Sequence, residues 1–138
     1  MKLIYQVCIP HTSRDYFDYD AGGFEPCIGA RVWVPFRNQT RLGIVVNIQG
    51  ANETSTKSLK SISSVIDEKP LFNKDLLELC FWIGNYYQSP LSEVLPLAIP
   101  KKYRLGEPCQ LPMGDFYQLT VPLEQAKIKI SARSRKQL

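Results

Sequence analysis

The sequence predicts a mainly β domain of the α+β class, a small β-barrel with one helix packed on it. Three observations carry that prediction. Five apolar, β-rich segments separated by turn residues lie between Leu3 and Asp67. The apolar spacing then changes to helical steps over residues 73–88. Hydrophobic residues make up 44% of the 138-residue chain, and mean hydropathy is −0.18, which supplies a core and excludes a disordered chain.

The elements follow in order. LIYQVCI, Leu3 to Ile9, is rich in apolar and β-branched residues and stops at Pro10, so it reads as a strand. Tyr16 to Tyr19 is a second short strand, closed by Ala21-Gly22-Gly23. ARVWVPF alternates, with Ala30, Val32, Val34 and Phe36 on one face and Arg31, Trp33 and Pro35 on the other. Arg37 to Thr40 is a polar hairpin loop, and RLGIVVNIQ returns as the partner strand, with Gly43 marking a bulge or a close backbone approach. After the polar loop Gln49–Ser58, LKSISSVID is a weaker fifth strand. In the helix, Leu76, Leu79, Cys80, Ile83 and Tyr87 form the inward stripe, and Trp82, Tyr86 and Tyr87 are expected in the core. Asn73 is its N-cap, Asp75 lies in its first turn, and Ser89-Pro90 stops it. PLSEVLPLAIP adds one or two helical turns, and Lys101 to Arg104 reads as a linker or an extended edge. DFYQLTV is a further strand candidate, and a helix begins near Ser131 or Ser134, so the chain is expected to be a piece of a longer one.

Composition excludes several function classes. No apolar run approaches the roughly 20 residues of a membrane span, and the N-terminus lacks a signal-peptide core, so the chain is expected to be soluble and cytoplasmic. Cys8, Cys27, Cys80 and Cys109 form no C-x-x-C pair, and His11 is the single histidine, so no metal site is expected and the thiols read as free and buried. No phosphate loop, dinucleotide fingerprint, H-E-x-x-H or nucleophile elbow occurs. Asp15, Asp18 and Asp20 are the only paired carboxylates with an enzymatic look, and no cleft accompanies them in sequence. No catalytic residue is assigned, and the chain is expected not to be an enzyme.

Charge points toward a polyanion. Residues 1–100 carry nine basic and ten acidic side chains, whereas residues 101–138 carry eight and three. Between residues 31 and 60, Arg31, Arg37, Arg41, Lys57 and Lys60 face only Glu53. Arginines suit phosphate oxygens, and Phe17, Tyr19 and Trp33 suit stacking on bases. Asp18, as a carboxylate, accepts hydrogen bonds only, which suits base amino groups or a terminal hydroxyl and repels a phosphate. On these residues alone a protein-interaction barrel, with the aromatics gripping a peptide, stands beside a nucleic-acid reader.

The order of motifs favours the reader. FDY at Phe17–Tyr19, GARVWVPF at Gly29–Phe36, RLGIVV at Arg41–Val46, LKSISSVID at Leu59–Asp67 and WIGNYYQSPLSEVLPLAIP at Trp82–Pro100 together resemble the N-terminal region of the bacterial PriA family of replication restart proteins. The resemblance implies a 3′-end DNA-binding domain over residues 1–104, holding the terminal nucleotide of a nascent leading strand at a branched fork. Residues 105–138 would be a linker and the truncated start of a winged-helix domain. Carried over by position, Phe17, Asp18, Tyr19, Arg37 and Lys60 would form the 3′-end pocket, with Arg31, Arg41 and Lys57 as candidate phosphate contacts. The family pattern often has glycine where this chain has Arg37. The resemblance further implies a full-length ATP-dependent 3′-to-5′ DNA helicase using ATP, magnesium and zinc. Its partners would be primosome proteins and single-stranded DNA-binding protein. The fragment itself would need no cofactor.

Overall fold

The structure, a computed structural model, describes residues 2–51 and 58–109, and Gln125 beyond them. Five strands, β1 (Lys2–Cys8), β2 (Phe17–Asp20), β3 (Arg31–Phe36), β4 (Gln39–Ala51) and β5 (Ser64–Val65), form one sheet in the order β2-β1-β4-β3-β5, each neighbouring pair antiparallel. The α+β class holds, but the sheet is not a closed barrel, because β2 and β5 remain its edges. The segment that leads into β5 also reaches β2. The Asp20 N–H donates to Lys60 O (2.9 Å), the Ile62 N–H to Asp20 O (3.0 Å), and the Ser63 N–H to Trp33 O (2.8 Å). The expected fifth strand therefore shrinks to Ser64–Val65, because residues 60–66 pair first with β2 at Asp20 and then with β3.

Alternation along the strands builds two cores, one on each face of the sheet. Tyr5, Val7, Tyr19, Val32, Val34, Val45 and Ile62 fill one side, with Phe17 and Phe36 partly buried against it. Cys8, Ile44 and Val46 point to the other face and meet the helices through Phe72, Leu77, Cys80, Leu91, Val94, Leu95 and Ile99. Pairing of Gln6 with Asn47 and of Val7 with Val45 leaves Val46 as the extra residue of a bulge. Gly43 is not that bulge. It is a close approach, where an added Cβ would run into the Val7 side chain.

Helix α1 (Lys74–Tyr87) starts as expected, with Asn73 Oδ1 accepting from the Leu76 N–H at 2.9 Å. It ends at Gln88, which adopts the left-handed conformation. The inward stripe is Leu77 and Cys80, flanked by Leu76 and Ile83. Leu79 and Tyr87, expected on that stripe, are exposed. Trp82, Tyr86 and Tyr87 are not core either; they are 56%, 66% and 68% exposed. They contact one another instead: Trp82 stacks on Tyr86 with centroids 5.0 Å apart, and Tyr86 meets Tyr87 edge-on at 4.9 Å. Four-residue spacing puts Trp82 and Tyr86 side by side on the outer face, a helix neighbour relation that needs no sheet beneath it.

Helix α2 (Leu91–Leu97) carries Pro96 within it. A proline there cannot donate to Ser92 O, and that carbonyl accepts from the His11 N–H instead, at 3.1 Å. Residues Lys101–Arg104, expected as a linker or extended edge, form a short helix, α3. Arg31 Nη1 donates to Tyr103 O in the last turn of α3 (2.6 Å) and to Glu107 O just beyond its end (2.8 Å). The four thiols are free, but only Cys8 and Cys80 are buried, and burial pushes the Cys8 thiol up to about 12. The strand and helix expected beyond Asp115, and the 105–138 unit apart from its first residues, lie outside the described residues.

Asp67→Ala, which strips a buried Arg31 of its carboxylate, is expected to lower the unfolding free energy by about 3–5 kcal/mol in urea titration. Trp82→Ala is expected to change it by no more than about 0.5 kcal/mol, as for an exposed site.

Candidate nucleic-acid interface

Strand β2 is short and lies at the sheet edge, so the residues it carries face both the core and solvent. Phe17 and Tyr19 turn to the core side opposite Val7 and Tyr5, and Asp18 turns outward opposite Gln6. Phe17 meets Phe36 of β3 edge-on, with centroids 5.0 Å apart. The two rings form a half-buried aromatic wall at the rim. Tyr19 lies deeper, 3% exposed, and its hydroxyl donates to Pro35 O at 3.0 Å. Burial pushes that phenol up from its ordinary value. The Lys60 side chain is exposed, and its carbonyl is the acceptor that ties residues 60–62 to Asp20.

The three carboxylates have separate employments, which removes the paired-acid reading. Asp15 Oδ1 accepts from the Leu91 N–H at 2.8 Å, at the start of α2. Asp20 Oδ1 accepts from the Gly22 N–H at 2.9 Å, and Lys2 lies 3.5 Å from its other oxygen. The Gly22 bond, helped by the Lys2 charge and opposed by partial desolvation, holds Asp20 below the usual carboxylate range. Asp18 is exposed and, among the described residues, has a single long contact, 3.5 Å from Gln6 Nε2. It is the carboxylate of the three with its acceptor capacity least used.

Arg37 occupies the first position of the two-residue turn between β3 and β4, with φ of 53°. In a two-residue hairpin with positive φ at that position, glycine is the preferred residue. Arg37 adopts the left-handed backbone regardless, and its guanidinium lies 5.4 Å from the Phe36 ring centroid. Arg14 takes the matching place 5.8 Å from the Phe17 centroid. Arg41 Nη2 donates to Pro10 O at 3.0 Å, and with Arg14, Arg37, Phe17 and Phe36 it lines a cleft of about 580 Å³.

One expected phosphate contact is corrected. Arg31 has no exposed surface; its Nε and Nη2 donate to the two oxygens of Asp67 at 2.7 and 2.6 Å. The alternation that set it on the second face of β3 was right, but that face is covered by the chain around Asp67 and Tyr103. Lys57 lies outside the described residues. Sequence reasoning missed Arg14 and Phe36 as members of the rim. The signal for Phe36 was its place one residue before Arg37 in the hairpin.

Among the described residues no group of three His, Cys, Asp or Glu side chains is placed to hold a metal ion, and no helix is long and apolar enough to cross a membrane. An edge strand with an aromatic wall, unpaired arginines around it and one carboxylate at its side is a nucleic-acid-binding β domain in its chemistry. Residues 6–100 match the PriA family of 3′DNA-binding domains (3′BD). The chain belongs to that family. It is 35% identical over 127 residues to the replication restart protein PriA of Haemophilus influenzae, a match covering 89% of this chain and 17% of that protein. It is 32% identical over 100 residues to the replication restart protein PriA of Buchnera aphidicola from Acyrthosiphon pisum, covering 72% of this chain and 14% of the relative. The chain thus spans less than a fifth of the length of these relatives.

Two outcomes follow from this geometry. Arg37→Gly is expected to stabilise the fold by up to about 1 kcal/mol in thermal or urea unfolding, since an L-residue in the left-handed region costs roughly 1–2 kcal/mol and glycine's extra chain entropy offsets part of it. The lowered proton affinity of Asp20 makes its contribution to stability fully present above about pH 4, the ordinary carboxylate value, and lost as pH falls below it. Melting curves between pH 6 and pH 3 should show a shallower acid loss for Asp20→Asn, which keeps an acceptor for Gly22.

Proposed function

We propose that this domain reads a 3′-hydroxyl strand end in branched DNA, as part of a replication restart protein. The observation that carries the reading is Asp18, an exposed carboxylate with spare acceptor capacity on the edge strand whose preceding residue, Phe17, forms the wall with Phe36 and lines a cleft with Arg14, Arg37 and Arg41. The rings hold the terminal base, and Asp18 accepts from its edge or from the terminal hydroxyl. Lys60 and Arg37 flank the site from the two segments that adjoin β2 and β3. Tyr19 supports the wall from beneath, since its ring is buried and its hydroxyl is committed to Pro35. A 3′-phosphate would meet the charge of Asp18 and leave its acceptor unused, a penalty on the order of 1–3 kcal/mol.

For the whole protein the proposal extends to an ATP-dependent 3′-to-5′ DNA helicase, with ATP, magnesium and zinc held by parts beyond this chain. Primosome proteins and single-stranded DNA-binding protein would be its partners. The solvent-facing rings of Trp82, Tyr86 and Tyr87 favour a protein contact in addition to DNA.

Fluorescence anisotropy with a partial duplex ending in a recessed 3′-hydroxyl tests the reading, with the 3′-phosphate form as competitor. The hydroxyl end is expected to bind about 5- to 150-fold tighter, the equivalent of roughly 1–3 kcal/mol. Asp18→Ala should erase that difference. Equal binding of both ends by the unaltered chain would remove the end-reading role, and binding insensitive to salt would favour a protein-docking barrel.

A further inference from the structure

A second cleft lies beside the first. It measures about 440 Å³ and is lined by Trp33, Thr40, Arg41, Lys101 and Arg104 among others. His11 and Arg41 line both clefts, so the two are continuous across the β4 side of the hairpin. Together they set Arg37, Arg14, Arg41, Lys101 and Arg104 along one path, and no carboxylate among the described residues lines either cleft. Glu93 lies 3.3 Å from His11 Nδ1 at the edge of the path. None of the five cations is ion-paired within the described residues. Arg104 Nε is buried without an acceptor. Aromatic rings recur along the same path, with Phe36 and Phe17 at one end and Trp33 at the other.

This arrangement is built. Arg41 is pinned between the clefts by Pro10 O. The turn of chain bearing Lys101 and Arg104 is held by Arg31 through the carbonyls of Tyr103 and Glu107. Trp33 lies on Gly106, where a Cβ would come within 2.6 Å of the indole, so the end of α3 is fitted to that ring. The alternative exit from the end site leads to a broader cleft of about 870 Å³ beside Asn85 and Gln88, but there Arg14 is the single cation and Asp15 opposes it.

We infer that the phosphodiester backbone of the strand whose end is read beside Phe17 runs along this track, from Arg14 and Arg37 past Arg41 to Lys101 and Arg104. The inference rests on the end-reading role and adds the path by which the strand arrives. Cations at successive points along a groove neutralise successive phosphates and carry no base preference. Asp18 decides what is bound at the end, and the track decides how strongly and in which direction.

The test is the salt dependence of binding to the recessed 3′-hydroxyl duplex, measured by anisotropy from 50 to 200 mM salt. The variant is Arg14→Ala with Lys101→Ala, both exposed and free of ion pairs within the described residues. Lys74→Ala, on the exposed start of α1, is the control. The double variant is expected to make the slope of log affinity against log salt shallower by about 1.8, at about 0.9 per lost phosphate contact. It should leave the preference for hydroxyl over phosphate unchanged, and Lys74→Ala should leave the slope unchanged. An unchanged slope in the double variant, or an equal change in Lys74→Ala, overturns the track. Loss of the hydroxyl preference in the unaltered chain overturns the end reading instead, and the two results are read from separate quantities.

Discussion

Arg31 has four acceptor contacts for its guanidinium and none of its surface in water. Asp67 takes two of them in a fork, and also accepts from the Arg31 main-chain N–H at 3.0 Å. The other two go to Tyr103 and Glu107 carbonyls. One side chain thus joins the start of β3, the segment after β5 and the end of α3. A buried ion pair adds little net stability when compared with an apolar substitute of the same shape, because desolvation cancels much of its attraction. Its effect here is positional. A hydrocarbon in place of Arg31 would fill the space but would give the α3 carbonyls no donors, and α3 has only four residues to hold itself in place.

That constraint links the core to the binding surface. The cations of α3 reach the second cleft because Arg31 fixes the carbonyl end of that helix. At the other side of the sheet, the Asp20–Lys60 and Ile62–Asp20 main-chain bonds do the equivalent task for the end site. They supply β2 with a partner on its outer edge, so an edge strand of four residues is paired on both sides at Asp20. Phe17, Asp18 and Tyr19 therefore sit on a strand whose last residue is fixed, and the rim keeps its shape without a closed barrel.

Much of this was legible in the sequence because it depends on local alternation. The first four strands and the Asn73 cap follow from period and turn chemistry that neighbouring residues decide, whereas the hairpin loop read as Arg37 to Thr40 is two residues shorter, because Gln39 and Thr40 already pair with Phe36 and Pro35. What was not legible depends on what covers a face. Arg31 reads as a surface cation because alternation assigns it to the second face of β3, and only tertiary contacts show that face to be roofed by residues 67 and 103–107. Trp82 and Tyr86 fail in the opposite direction. Their size argues for burial, but the sheet accepts the 77/80 side of α1 and leaves theirs outside. The LKSISSVID segment looks like one strand by composition and is instead a crossing from β2 to β3, which no pattern along the segment distinguishes. At the site, the aromatic-acid-aromatic triplet was visible, whereas Arg14, Lys101 and Arg104 join it only through folding.

The mixture of charges at the rim has a consequence for polarity. Arginines alone would hold any phosphate, interior or terminal, and would bind a strand anywhere along its length. A carboxylate alone would repel the whole strand. In the proposed reading, Asp18 would make the terminus different from every other point. On the proposed track each interior phosphate would have a cation to meet, and the one position that faces the acid would tolerate a nucleotide only if the chain ended there without a phosphate. Charge screening sharpens the contrast, because at physiological salt the Debye length is about 8 Å and the attraction of a distant arginine does not reach far enough to cancel the local repulsion. Arg37, which stands at the Phe36 rim in a backbone conformation unfavourable for its type, marks where the two regimes meet: its guanidinium is available to the phosphate that precedes the terminal nucleotide. Strain at that turn is then the local cost of a cation where glycine would fold more readily.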